Sequence, residues 1–225
     1  MPNRNRSRRS AGQGVVVVGI DSHHDPSTKA IWQHRQKRVY DYLRQRLDVV
    51  LLDGEKATRR KVMEEAMGGN VKYLTGAGHG DTMTFTGHDG QRIFHVDEYD
   101  PKVPSEKIVH FLSCLTAKKL GPDFVSNGCS AYFGYDVDLK WPDTCDAKIL
   151  VDCDSEIDRA LADGLTAGKA YKRAVKEFTR QANELEQRGG CLAPAYLRKY
   201  RDHLCAPSKN RIWGKKRARL PLPAR

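Results

Sequence analysis

The sequence contains no hydrophobic run long enough to cross a membrane. The apolar stretch at residues 15–20 is followed at once by Asp21, whereas a bilayer span needs about 20 apolar residues. The same stretch is too short for the hydrophobic core of a signal peptide, although Arg8 and Arg9 superficially resemble a twin-arginine export signal. We therefore expect a soluble, cytoplasmic protein without a membrane span.

Cysteine pairs with metal-binding spacing are also absent. Six cysteines lie between Cys114 and Cys205, and no two of them form a C-x-x-C pair of the kind that structural zinc sites use. A chain of 225 residues can bury a core without disulfides. We therefore predict no metal and no cofactor, and we expect most of the cysteines to be buried as small apolar side chains.

Acidic residues are missing from both ends of the chain. Residues 1–14 carry four arginines and residues 206–225 carry seven basic residues, which together account for the net charge of +11. We predict one formally neutral domain at residues 15–205 between two solvated basic tails. The alternative that these tails tether the protein to nucleic acid, a membrane or an acidic partner stays open. The core has no basic patch interleaved with aromatics, which argues against nucleic acid as the partner.

Buried strands alternate with helices through the middle of the chain. Unbroken apolar runs are typical of strands that are buried on both faces of a parallel sheet, and their alternation with amphipathic helices favours β-α-β units. We therefore predict an α/β fold with a mostly parallel central sheet flanked by helices, and a small exposed β-hairpin at residues 82–96. The predicted strands are 15–20, 49–52, 71–75, 107–112 and 131–135, and the predicted helices are 27–47, 58–67, part of 115–126, 154–162, 167–187 and 195–203.

Two of the predicted strands lead into reactive side chains. The strand at 107–112 leads to Cys114, and the strand at 71–75 leads to His79, which has a glycine on each side. Reactive groups collect beyond the carboxyl ends of strands in an open α/β sheet, and a thiolate needs a neighbouring imidazole to form near neutral pH. Although either residue alone is more typical of packing, together they predict a catalytic pair, with the backbone amides of Gly80 and Cys114 as an oxyanion hole.

The same residues resemble a known family. The segment Gly78-His79-Gly80, followed by a hairpin and by a strand ending in Ser113-Cys114, is similar to the caspase/gingipain/legumain-like superfamily of cysteine peptidases. Residues 128–135 and 154–170 resemble later segments of gingipain-like and bacterial caspase-like members. The resemblance covers residues 15–190 and implies a caspase-like three-layer sandwich with its hairpin after the catalytic histidine. The sequence around the cysteine departs from the pentapeptide of true caspases, which puts aspartate specificity in doubt.

The resemblance implies a thiol protease acting on protein or peptide substrates. Cys114 would attack the scissile carbonyl and form an acyl-enzyme, and His79 would protonate the leaving amine and later activate water. In such proteins the pair works as a dyad, so no third catalytic residue is predicted. Members are activated by self-cleavage, by calcium or by a partner protein, and the sequence does not choose between these.

The resemblance also implies where the substrate pocket lies, near the ends of the first and fifth strands. Four aspartates occur there: Asp21, Asp25, Asp136 and Asp138. Carboxylates in a pocket favour arginine or lysine through charge-assisted hydrogen bonds, although any one loop aspartate is more typical of a turn or helix cap. We therefore predict cleavage after arginine or lysine.

Other functions and residues stay open at this point. The chain is also compatible with a catalytically silent caspase-like domain that binds proteins, with a nucleic-acid-binding protein acting through its basic tails, and with another cysteine hydrolase such as an amidase. His110 is predicted to pack within its strand, and Trp141 either shapes a substrate pocket or covers the domain.

Overall fold

Eight strands form a large sheet and a separate hairpin. The computed structural model describes residues 14–141, 146–189 and 191–222. The strands are β1 (Val16–Asp21), β2 (Asp48–Asp53), β3 (Val71–Ala77), β4 (Thr84–Thr86), β5 (Arg92–His95), β6 (Ile108–Leu112), β7 (Ala131–Tyr135) and β8 (Leu204–Cys205).

The large sheet has the order β2-β1-β3-β6-β7-β8. All its neighbours are parallel except β8, which runs antiparallel to β7 at one edge. The predicted mostly parallel sheet is therefore confirmed, and β4 and β5 form the predicted hairpin after His79. Strand β8 was not predicted because two residues are too few to show a strand pattern.

Helices cover both faces of this sheet. Helix α1 begins at a capping box in which the Asp25 side chain accepts hydrogen bonds from the backbone of Ser27 and Thr28. A π-helical turn at Gln36–Tyr40 joins α1 to α2, so the helix predicted at 27–47 is present with a local distortion. The helices are α1 (Pro26–Arg35), α2 (Asp41–Arg44), α3 (Arg59–Ala66), α4 (Leu120–Ser126), α5 (Lys148–Asp154), α6 (Glu156–Ala162), α7 (Ala167–Arg188) and α8 (Ala193–His203).

Successive strand residues pack into two different cores. Val17 joins the core formed with α2 and α5 to α8, whereas Val18 joins the core formed with α3, α4 and the hairpin. Side chains alternate between the faces of a strand, so a sheet that is covered on both faces requires the unbroken apolar runs seen in the sequence. The result is three layers with the sheet in the middle.

Residues 206–222 pack against the domain, although the sequence predicted a solvated tail from 206 onward. Leu220 is only 2% exposed, the Trp213 indole donates to the Ala117 carbonyl at 3.2 Å, and the Lys215 amide donates to the Ser130 carbonyl at 2.8 Å. The apolar residues between the basic ones anchor the segment. The predicted N-terminal tail, except for Gly14, lies outside the described residues.

Across the described ranges, no helix combines the length and the hydrophobicity that crossing a bilayer would require. Three of the cysteines, Cys129, Cys153 and Cys205, are buried as expected. Cys145 lies outside the described residues.

Candidate active site

His79 and Cys114 line the same cleft. Ala77 of β3 and Leu112 of β6 are register partners on adjacent parallel strands, and His79 and Cys114 each lie two residues beyond them. Both side chains border a cleft with a volume of about 280 Å³. The His79 side chain is 54% exposed, so its imidazole is open to a ligand in the cleft. The fold therefore brings together the thiol and the imidazole that the sequence singled out.

Asp25 holds the imidazole of His79. Its Oδ2 lies 2.9 Å from His79 Nε2, while its Oδ1 accepts the amide hydrogens of the first turn of α1. Partial burial opposes ionisation, but hydrogen bonds from Thr28 and His79 outweigh it and lower the pKa of Asp25 to about 2. An ionised Asp25 accepts the Nε2 proton and leaves Nδ1 of His79 as the nitrogen with a free lone pair.

The Cys114 thiol is held neutral in the free protein. Burial raises its pKa, the backbone N–H of Leu139 opposes this effect, and the carboxylate of Asp138 adds to it. The Leu139 amide donates to the sulfur at 3.2 Å. Among the described contacts the thiol has no hydrogen bond to His79. Ionisation of Cys114 near neutral pH therefore requires a proton acceptor.

Two backbone amides are available beside the thiol. Within the described part of the chain, the amides of Gly80 and Cys114 donate to no backbone carbonyl. A Cβ on Gly80 would lie 2.3 Å from the Ser113 Oγ and 2.8 Å from the Thr84 carbonyl oxygen, so only glycine fits this close approach. Leu115 has a φ of 60° and turns the chain sharply after Cys114. Backbone N–H groups without a carbonyl partner are one requirement of an oxyanion hole.

The described wall of the cleft is largely apolar. Beside the two reactive residues it includes Ile31 of α1, Leu139 and Trp141 of the loop after β7, and Leu150 of α5. None of the four aspartates that the sequence suggested is among the described lining residues. Trp141 does line the cleft, which is one of the two roles that the sequence left open for it.

Two of these aspartates lie in the loop after β7. The Asp136 carboxylate lies 2.7 Å from the Nδ1 of His203, the last residue of α8. Asp138 is exposed and acts on the Cys114 thiol through its charge. Asp136 therefore has a partner within the protein, and among the contacts of the described residues none directs Asp138 into the cleft.

Asp21 lies in the interior of the protein and does not reach the cleft. Its side chain is 0% exposed, Arg35 Nε lies 3.1 Å from its Oδ1, and the Ala77 amide donates to the same oxygen at 2.9 Å. Burial raises the pKa of Asp21, and the charge of Arg35 opposes this effect. A carboxylate that is paired and buried in this way cannot bind a substrate side chain.

Asp21 and Arg35 belong to a larger buried charge cluster, which is completed by His110, Asp154 and Asp158. The His110 Nε2 lies 3.1 Å from Asp154 Oδ1, and its Nδ1 lies 3.3 Å from Asp158 Oδ2. Burial disfavours the charged imidazole, but the two carboxylates outweigh it and raise the pKa of His110 to about 9. This shift favours the charged imidazole at neutral pH, in the strand that leads to Cys114.

The buried charge cluster left a weak signal in the sequence. A histidine inside the apolar run of β6 needs a polar partner if it is buried, and Asp154 and Asp158 are four residues apart, one helical turn. Nothing in the sequence connects these residues to Arg35.

No protein-family model matches this chain, and no curated protein matches it.

Proposed function

We propose that this protein is a cysteine endopeptidase with Cys114 as its nucleophile and His79 as its acid–base. The proposal rests on one observation: the two residues occupy equivalent positions beyond adjacent parallel strands and line one cleft. The Asp25–His79 hydrogen bond, the two available amides and the hairpin after His79 support it. They are also compatible with the caspase-like architecture that the sequence resembles.

The reaction follows from the positions of these groups. His79 Nδ1 takes the proton from the Cys114 thiol, and the sulfur attacks the scissile carbonyl. The Gly80 and Cys114 amides stabilise the developing oxyanion, and a donor of this kind contributes about 3 kcal/mol. His79 returns the proton to the leaving amine as the C–N bond breaks. Water then attacks the thioester, His79 takes its proton, and the thiol is restored.

Asp25 has a different role from the one that the sequence suggested. Its carboxylate accepts from Nε2 of His79 and therefore orients the ring and stabilises the imidazolium that forms during proton transfer. Asp25 is a positioning residue in this scheme, because it contacts His79 and not the substrate.

The cleft favours an apolar side chain before the cleaved bond. Its described wall offers Ile31, Leu139, Trp141 and Leu150 and no carboxylate, and a lysine or arginine placed there would lose its hydration without a counter-ion. This preference differs from the arginine or lysine preference that the aspartates suggested. An apolar side chain would gain about 25 cal/mol for each square ångström that it buries.

Covalent labelling tests the nucleophile and its acid–base partner. A peptidyl electrophile with an apolar side chain should label the wild type at Cys114, and His79→Ala should label more slowly at neutral pH. Cys129→Ser is the matched control, because this cysteine is buried in the core and its loss should leave labelling intact. Equal labelling of the wild type and His79→Ala would contradict an activated pair and favour a silent protein-binding domain.

Cleavage of a peptide library then tests the activity and its specificity together. Hydrolysis after apolar residues would support both the peptidase activity and the apolar preference of the cleft. Hydrolysis only after arginine or lysine would support the peptidase and refute the apolar pocket. Hydrolysis of a side-chain or small-molecule amide without peptide cleavage would identify another cysteine hydrolase.

A second function, nucleic-acid binding, is favoured by a groove at the C-terminal segment. Its described lining contains five basic residues and no acidic one, and its volume is about 990 Å³. None of the five forms an ion pair among the described contacts. Lys209 Nζ donates to the Asp202 carbonyl, and the other four could bind a phosphate backbone. The five are Lys209, Arg211, Lys215, Lys216 and Arg217.

Salt-dependent binding of single- and double-stranded nucleic acid tests this second function. The triple variant Lys215→Gln, Lys216→Gln and Arg217→Gln should weaken binding and reduce its salt dependence. Substitutions are preferable to a truncation here, because residues 206–222 are packed against the domain. The control is a triple variant on helices α7 and α8 that removes the same number of positive charges: Lys172→Gln, Lys176→Gln and Lys199→Gln. Equal losses in the two triple variants would rule out the groove as the binding site.

A further inference from the structure

The loop after β1 and the segment after β3 bring two imidazoles and a carboxylate together. One ligand atom from each of His24, Asp25 and His79 lies within 4.8 Å of the other two. His79 Nε2 is 2.9 Å and His24 Nε2 is 3.5 Å from Asp25 Oδ2. Ligands at about 2.0–2.1 Å from a tetrahedral zinc ion are separated by about 3.3 Å, so these spacings need little adjustment.

The surroundings of His24 prepare it to be a ligand. Its Nδ1 lies 2.6 Å from Ser22 Oγ, and Ser22 is 1% exposed. A hydrogen bond of this kind to the second ring nitrogen fixes the orientation and tautomer of a metal-binding histidine. In the tautomer of His24 that carries its proton on Nδ1, this nitrogen donates to the Ser22 hydroxyl oxygen. The lone pair on His24 Nε2 then faces the Asp25 carboxylate. Asp25 is in turn fixed by the first turn of α1.

We infer that His24, Asp25 and His79 form a site for a divalent transition-metal ion, with Zn²⁺ as the best fit. Two imidazoles and one carboxylate are a common zinc ligand set, and with three protein ligands the fourth position stays open. The sequence alone favours a solvent loop for His23 and His24, because adjacent side chains point in different directions. His79 joins His24 only in the fold.

Metal binding would switch off the catalytic pair, a consequence that rests on the proposed peptidase function. The ion binds the Nε2 lone pair of the other neutral tautomer of His79, in which the ring proton has moved from Nε2 to Nδ1, and it takes Asp25 as a second ligand. With its one proton on Nδ1, the metal-bound ring has no lone pair to accept the proton of the Cys114 thiol. Zinc is therefore expected to inhibit hydrolysis, and a chelator to restore it.

Zinc binding is measured directly, by competition with a chromophoric chelator on the full chain near neutral pH. The wild type should bind one Zn²⁺ per chain, and His24→Ala should weaken the affinity by about tenfold or more. His34→Ala should have no effect. It is the matched control, because His34 on α1 also lies beside a carboxylate, with its Nε2 3.0 Å from Asp152 Oδ1.

The thiol provides a second comparison. Cys114→Ser should bind zinc as tightly as the wild type, because the sulfur is not one of the three ligands. Weaker binding in Cys114→Ser with unchanged binding in His24→Ala would place the ion on the thiol and overturn the inference. Absence of zinc binding in the wild type, or equal binding in the wild type and His24→Ala, would overturn it too. These binding results do not depend on peptidase activity.

Discussion

The charged state of His110 makes the stability of this protein depend on pH. We consider the variant His110→Gln, which keeps a polar side chain of similar size but removes the positive charge between Asp154 and Asp158. The pKa of His110 rises from its usual 6.5 to about 9 in the fold. At about 1.4 kcal/mol for each pH unit, this difference corresponds to about 3 kcal/mol of unfolding free energy.

The sign of the effect follows from the direction of the shift. Because the pKa in the folded state is above that in the unfolded state, the stabilisation is complete below pH 6.5 and is lost as the pH rises through about 9. The lowered pKa of Asp158 reflects the same attraction, so it adds nothing further. The difference in unfolding free energy between the wild type and His110→Gln should therefore be about 3 kcal/mol larger near pH 6 than near pH 9.5.

Urea unfolding of both proteins at several pH values measures this difference. Subtracting the variant cancels the contribution of other groups that titrate in this range, such as the buried thiols of Cys129 and Cys205. His203→Gln is the control, because the His203–Asp136 pair is partly exposed and surface pairs contribute little. A difference between wild type and His110→Gln that stays constant from about pH 6 to pH 9.5 would show that His110 is neutral in the fold and refute the reasoning.

Three further predictions concern the site and the C-terminal segment. Asp25→Asn removes the charge beside the catalytic imidazole and should lower kcat about a hundredfold with little change in KM; an unchanged kcat would contradict its positioning role. Gly80→Ala places a Cβ 2.3 Å from Ser113 Oγ and should abolish hydrolysis and slow labelling of the thiol. Leu220→Ala should destabilise the protein by about 2–5 kcal/mol in thermal or urea unfolding, whereas Ile212→Ala, at a residue that is 48% exposed, should change stability by less than about 0.5 kcal/mol.

The large sheet was predictable because burial on both faces leaves a direct record in the sequence. Strands β1, β3 and β6 are apolar at nearly every position, and both cores of the protein use them. The π-helical turn at Gln36–Tyr40 left no such record, because the four-residue spacing of Val39 and Leu43 is equally typical of an ordinary α-helix. The packed segment 206–222 was mistaken for a tail because its basic residues outnumber the few apolar anchors that hold it.

The positions of the two reactive residues were predictable for a similar reason. Strand ends can be read from apolar runs, and parallel neighbours place their ends at one edge of the sheet. The partners of charged side chains cannot be read in this way. Asp21 was assigned to a pocket, yet its partner Arg35 lies 14 residues later at the end of α1, and only the packing of α1 against the sheet brings the two together.

The buried charge cluster connects the elements that carry the proposed active site. Arg35 ends the helix whose N-terminal cap is Asp25, and His110 lies in the strand that leads to Cys114. Asp158 lies 3.7 Å from Arg35 and 3.3 Å from His110, so one carboxylate joins helix α1 to strand β6. Burying these ions is costly unless each one is paired, and a shift of either element would break the pairing. The cluster therefore constrains the position of α1, which Asp25 caps, relative to β6, which leads to Cys114.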